Sequence, residues 1–111
     1  MSYRELSYEE KEELMKELEK LTGGDDRVFC YNSLKNDLDE LCSEYGLFYV
    51  KSGGNPVHND RVVLGFDVSR FNAIGMIRLG MRVSDYGADK VELNSGTSIK
   101  EHHIYFELWW D

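Results

Sequence analysis

This chain has little of what sites of chemistry are usually built from. Cysteine occurs twice and histidine three times in 111 residues. Two thiols are too few for a disulfide framework. Cys30 and Cys42 both sit among apolar neighbours, so they read as reduced core residues. His102 and His103 are adjacent, and on a strand they would point to opposite faces and not share a metal. His58 and Asp60 fall in the stretch 53–60, the longest candidate loop, but one imidazole and one carboxylate do not make a ligand set. No G-K-[ST] follows the glycine pairs at 23–24 or 53–54, so there is no phosphate loop. No nucleophile elbow or ordered triad is present. No cofactor and no metal are expected, and an enzyme is the weaker reading.

Long apolar runs are also missing. The longest extends from about Val62 to Phe66, far too short to span a bilayer. Charge begins at Arg4 with no apolar stretch behind it, so no signal peptide is expected and the expected setting is cytoplasmic. There is no repeat, linker or low-complexity tract. The chain reads as one domain, 1–111, helical over 1–46 and a β-meander over 47–111.

What the chain does have is charge, unevenly placed. Its formal net charge is −8. Residues 1–46 hold 13 acids and 6 bases, a net of −7, whereas residues 47–111 hold 8 acids and 7 bases, a net of −1. This balance disfavours direct binding to nucleic acid, where neutralising phosphates supplies most of the affinity. It disfavours anionic membrane surfaces for the same reason. It suits a protein partner with a basic surface.

The acidic part is patterned for helices. Ser7-Tyr8-Glu9-Glu10 has the form of a capping box, and Leu14, Leu18 and Leu21 follow at helical spacing. Gly23-Gly24 supplies a stop, which predicts a helix over 8–22. Residues 27–31 are β-prone and predict a brief strand. Asn32 or Ser33 would cap a second helix over 34–45, buried through Leu34, Leu38, Leu41, Cys42 and Tyr45 and ended by Gly46.

After Gly46 the period changes from 3.6 to 2. Phe48 and Val50 begin one strand, and Val62, Leu64, Phe66 and Val68 form a second. Ile77, Leu79, Met81 and Val83 predict a third, Val91 and Leu93 a fourth, and Ile104, Phe106, Leu108 and Trp110 a fifth. Asn94-Ser95-Gly96-Thr97 reads as a hairpin turn. The expected fold is α+β: two N-terminal helices on one face of a roughly five-stranded antiparallel meander.

Two surfaces stand out as candidates. Glu9, Glu13 and Glu17 lie at i, i+4 and i+8 on the first helix, and Asp37, Glu40 and Glu44 share a side of the second. Like charges four apart destabilise a helix by a few tenths of a kcal/mol per pair, roughly. Lys16 and Lys20 and the helix dipole offset part of that. The remainder suggests a docking face. The second surface is the outward sheet face, where Arg78, Arg82, Tyr105 and Trp109, with His58 nearby, are residue types favoured at interfaces. Gly65 and Gly80 would leave room there for a close approach. Trp110 is expected in the core and Trp109 outside.

Size, acidity and missing chemistry together suggest a small protein that neutralises another protein. An inhibitor of a nucleic-acid-handling defence system, of the type carried by phages or mobile elements, fits this profile, as does an immunity protein for a basic toxin. Carboxylate rows would then imitate nucleic-acid phosphates. The alternative is a ligand-binding or catalytic domain using the outer sheet face and loop 53–60. A homodimer through that same face is a third reading.

Overall fold

Ser7 begins the first helix, α1 (Tyr8–Glu19), through a closed capping box: its hydroxyl accepts from the Glu10 amide at 3.1 Å while Glu10 Oε1 accepts from the Ser7 amide at 3.0 Å. The computed structural model describes residues 6–22, 28–53, 60–94 and 102–110. Leu14, Leu18 and Leu21 turn inward as their spacing requires. The glycine pair at 23–24, the turn at 95–97 and His58 lie outside the described residues.

The expected strand at 27–31 is instead the start of a helix, α2 (Val28–Asn36). Residue type misled there and spacing did not: Tyr31, Leu34, Leu38 and Leu41 are all buried, one helical stripe begun a turn earlier than expected. Asn32 and Ser33 are therefore inside a helix rather than caps. The expected single helix over 34–45 is divided at Asp37, which has φ −90° and ψ 0° and precedes α3 (Leu38–Tyr45). Gly46 ends α3 at φ +77°, the left-handed conformation for which glycine carries no Cβ penalty.

Among the described residues four strands follow, not five: β1 (Leu47–Gly53), β2 (Arg61–Asp67), β3 (Lys90–Leu93) and β4 (His103–Trp109). All pairings are antiparallel, in the order β1-β2-β4-β3, so the sheet is not a meander. β2 and β3 each run against β4 and so run parallel to one another. That relation needs a long crossover.

The crossover is α4 (Ala73–Ser84), in the place of the expected third strand. Ile77, Leu79, Met81 and Val83 alternate in sequence, but only Leu79 and Val83 are buried, at i and i+4 with no solvent exposure. Both periods fitted that segment. The Asn72 side chain decides the matter locally, capping the helix by accepting from the Gly75 amide at 2.9 Å.

The inner sheet face carries Val50, Val62, Leu64, Phe66, Ile104 and Leu108, all buried under the helical layer. Burying each such side chain is worth about 1.5–3 kcal/mol. Trp110 is buried at the end of β4, donating its indole N–H to the Tyr86 carbonyl at 3.1 Å, while Trp109 is half-buried on the other side. Among the described residues, no helix is long and apolar enough to cross a membrane.

Candidate functional site

The six acids expected on a docking face separate into two groups. Glu17 turns inward. Its side chain is 18% exposed, and Oε2 accepts from the Ser52 hydroxyl at 2.9 Å and the Ser52 amide at 3.3 Å. Lys20 approaches Glu17 Oε1 at 3.1 Å and Lys51 at 3.8 Å. Burial opposes its charge, but the bonds from Lys20 and Ser52 outweigh that and hold its carboxyl below the ordinary value. Asp37 and Glu40 meet the Arg82 guanidinium at 3.2 and 2.9 Å. These three acids fasten helices to the rest of the fold.

Glu9, Glu13 and Glu44 remain exposed. Glu12, which widens that band in the sequence, is exposed alongside them, and so are Glu19 and Asp39, which the spacing of Glu9, Glu13 and Glu17 did not single out. Lys11 and Asp39, 3.5 Å apart, join α1 to α3, so the acid-bearing helices are neighbours. Lys16 stands 3.5 Å from Glu13, an exposed pair of the kind that contributes little.

Between α3 and α4 lies a cleft of about 500 Å³ lined by Glu40, Glu44, Tyr45, Phe71, Gly75 and Arg78. One carboxylate and one aromatic wall of the cleft already hold a cation, because Arg82 meets Glu40 at 2.9 Å and stands over the Tyr45 ring at 5.9 Å, and Arg78 lends a further positive charge.

The second surface does not form as expected. Arg78 and Arg82 belong to α4, in the helical layer, while Tyr105 and Trp109 lie on the opposite face of the sheet. The strand reading of residues 77–83 had placed all four together. Gly80 likewise leaves the sheet for α4. The room expected at Gly65 is filled from within: a Cβ there would lie 2.7 Å from Tyr105 Cε1. Phe48, Tyr49, His103 and Tyr105 pack edge-to-face or tilted, with ring centroids 4.6–6.5 Å apart. Trp109 donates to Glu107 Oε1 at 2.8 Å and receives Lys90 over its ring at 4.4 Å and Arg61 at 5.7 Å. This face is organised by its own cross-strand pairs.

A thiol, an imidazole and a carboxylate do converge elsewhere. Cys42, Asp67 and His103 line a cavity of about 330 Å³ with Leu6, Gly46, Leu47 and Phe48. Only the register of β2 on β4, which pairs Asp67 with His103, brings these positions together, so no local motif signals them. Burial pushes the Cys42 thiol up to about 11, so it carries almost no thiolate near neutrality. Burial also opposes charge on Asp67, but hydrogen bonds from Ser69 outweigh it and hold the carboxyl below its ordinary value. An activated nucleophile needs the reverse arrangement at sulfur. Among the described residues no group of three His, Cys, Asp or Glu side chains is placed to hold a metal ion. No protein-family model, curated protein or solved structure matches this chain.

Proposed function

We propose that this chain is a non-enzymatic binding protein that neutralises a protein partner with a basic surface, docking it on the helical layer. The observation that supports this reading is the retained carboxylates of α1 and α3. Glu9, Glu12, Glu13, Glu19, Asp39 and Glu44 stay exposed on neighbouring helices, whereas Glu17 and Asp37 are drawn into the fold and Glu40, itself still exposed, is paired with Arg82. Holding like charges on one layer costs self-repulsion, which an oppositely charged partner would relieve. A partner whose basic surface normally meets nucleic acid fits best, with the carboxylates standing in for phosphates. A basic toxin bound by its immunity protein is the same chemistry.

The test is kinetic. The partner is captured from the native host, identified, purified and mixed with the protein in stopped flow at several salt concentrations. Association should slow as salt rises, and soluble heparin should compete. The triple variant Glu9→Lys, Glu13→Lys, Glu44→Lys should associate at least about tenfold more slowly. An association rate indifferent to both salt and the triple change would sink this reading.

A further inference from the structure

Helix α4 carries a second apolar stripe that the core does not use. Ile74, Ile77 and Met81 recur at i, i+3 and i+7 and are 61%, 63% and 63% exposed. Leu93, on the inner face of β3, is 63% exposed beside them. Ile77 and Met81 of the stripe border, with the strand, one groove of about 540 Å³, into which Val91 and Phe106 also face. β3 is the edge of the sheet, and among the described residues nothing pairs with its outer side. An open strand edge next to an apolar helix stripe is a template for another strand with its own apolar cover.

The sequence of that edge points to its occupant. Lys90 and Glu92 share the outer face of β3, 3.1 Å apart, with Val91 between them on the inner face. Laid antiparallel on a second copy with Val91 opposite Val91, the strand sets Lys90 against Glu92 and Glu92 against Lys90. Opposite charges directly across a strand pair stabilise it, and this register makes both pairs at once. Such a contact is two-fold symmetric and closes as a dimer. The groove sets Ile77 and Met81 beside that edge, so a second β3 added there brings a second apolar stripe to the junction. The exposed acids of α1 and α3 do not oppose this, because those helices contact β1, at the far edge of the sheet, and Asp85 is the acid of α4's end that lines the groove.

We propose that the chain forms a homodimer by antiparallel pairing of β3 with β3 of a second copy, sealed by the Ile77 and Met81 stripes of the two α4 helices. This contact is made along the β3 edge, not by the Tyr105 and Trp109 surface of the sheet, and does not rest on the acidic docking reading.

Sedimentation equilibrium of the full chain tests it. The mass should rise with concentration from 12.9 kDa to twice that value. Ile77→Asp and Met81→Glu change exposed side chains, so each should unfold like wild type yet remain at the chain mass. Lys90→Glu and Glu92→Lys should each raise the dimer dissociation constant about tenfold or more, and an equimolar mixture of the two chains should dimerise again. That rescue separates pairing across the interface from the Lys90–Glu92 contact within one chain, which mixing does not restore. A mass of 12.9 kDa at every concentration to about 1 mM overturns the proposal and leaves the groove to residues 95–101 or to another protein. A dimer unmoved by all four substitutions, or broken instead by Tyr105→Ala, overturns it equally.

Discussion

Arg82 Nη2 stands 3.2 Å from Asp37 Oδ2, tying the last turn of α4 to the break between α2 and α3. The same nitrogen donates to Glu40 Oε2 at 2.9 Å. The Tyr86 hydroxyl donates to Asp37 at 2.8 Å and accepts from Arg82 Nε at 3.4 Å. Burial, reinforced by the bond to Asp37, pushes that hydroxyl well above its ordinary value, so it stays a donor at any pH the protein meets. The sequence offers Asp37 to one surface and Arg82 to another. In the fold they are one polar clasp between helices that are far apart in the chain.

That clasp has a measurable cost of removal. Arg82→Ala leaves two carboxylates and a hydroxyl without their common donor, and Asp37→Ala removes the acceptor at its centre. Each should lower stability by about 1–3 kcal/mol. The double variant should lose less than the sum, with a coupling on the order of 1 kcal/mol by urea unfolding. Additive losses would mean that the pair is merely a solvated surface contact.

The elements with one periodicity were legible in advance, and those with two were not. The capping box at Ser7, the leucines of α1, the alternation of Val62, Leu64 and Phe66, and the inward turn of Trp110 appear as their spacing dictates. Residues 77–83 satisfy period 2 and period 3.6 alike, and what selects a helix there is the Asn72 cap together with the crossover that the parallel relation of β2 and β3 needs. Of the acidic rows, sequence spacing gives the side of the helix but not what lies across from it. Whether a carboxylate meets solvent, as Glu13 does, or Ser52, as Glu17 does, depends on β1 arriving beside α1.

Glu17 makes stability depend on acid. Its folded carboxyl sits below the ordinary 4.5, so near that value the unfolded chain binds protons more readily than the folded one. Stability from this group is therefore full above about pH 4.5 and is lost as pH falls through the lower folded value. Asp67 adds a second contribution of the same sign below its ordinary 3.8. Glu17→Gln should lower the urea midpoint at neutral pH and flatten its decline between pH 4.5 and acid. An equally steep decline in the variant would assign the acid sensitivity elsewhere.

The two thiols should differ in reactivity. Cys42 is buried and its thiol is raised to about 11, which leaves on the order of one molecule in ten thousand as thiolate at neutrality. Cys30 is only partly covered. Iodoacetamide under native conditions should label Cys30 first, and Cys42 at a rate that tracks unfolding by denaturant. Native labelling of Cys42 as fast as in the unfolded chain would contradict the burial that argues against nucleophilic chemistry in its cavity.

Three glycine-to-alanine changes should separate three local geometries. At Gly80 an added Cβ meets nothing within 4 Å in the interior of α4, so Gly80→Ala should stabilise the chain by about 0.5–1 kcal/mol through the backbone entropy it removes. At Gly65 the same atom would come within 2.7 Å of Tyr105 Cε1 and 3.0 Å of Tyr49 Cβ. The Tyr105 ring can swing, but Tyr49 Cβ is fixed to the backbone of the paired strand, so a cost of about 1–3 kcal/mol is expected. Gly87 combines φ +72° with Cys30 Sγ at 2.8 Å, so strain and collision act together and Gly87→Ala should be the most damaging. Unfolding midpoints measured in dilute solution, where self-association does not contribute, should rank them Gly80 above wild type, then Gly65, then Gly87. A destabilising Gly80→Ala under those conditions would show that the α4 groove is already filled by the chain itself.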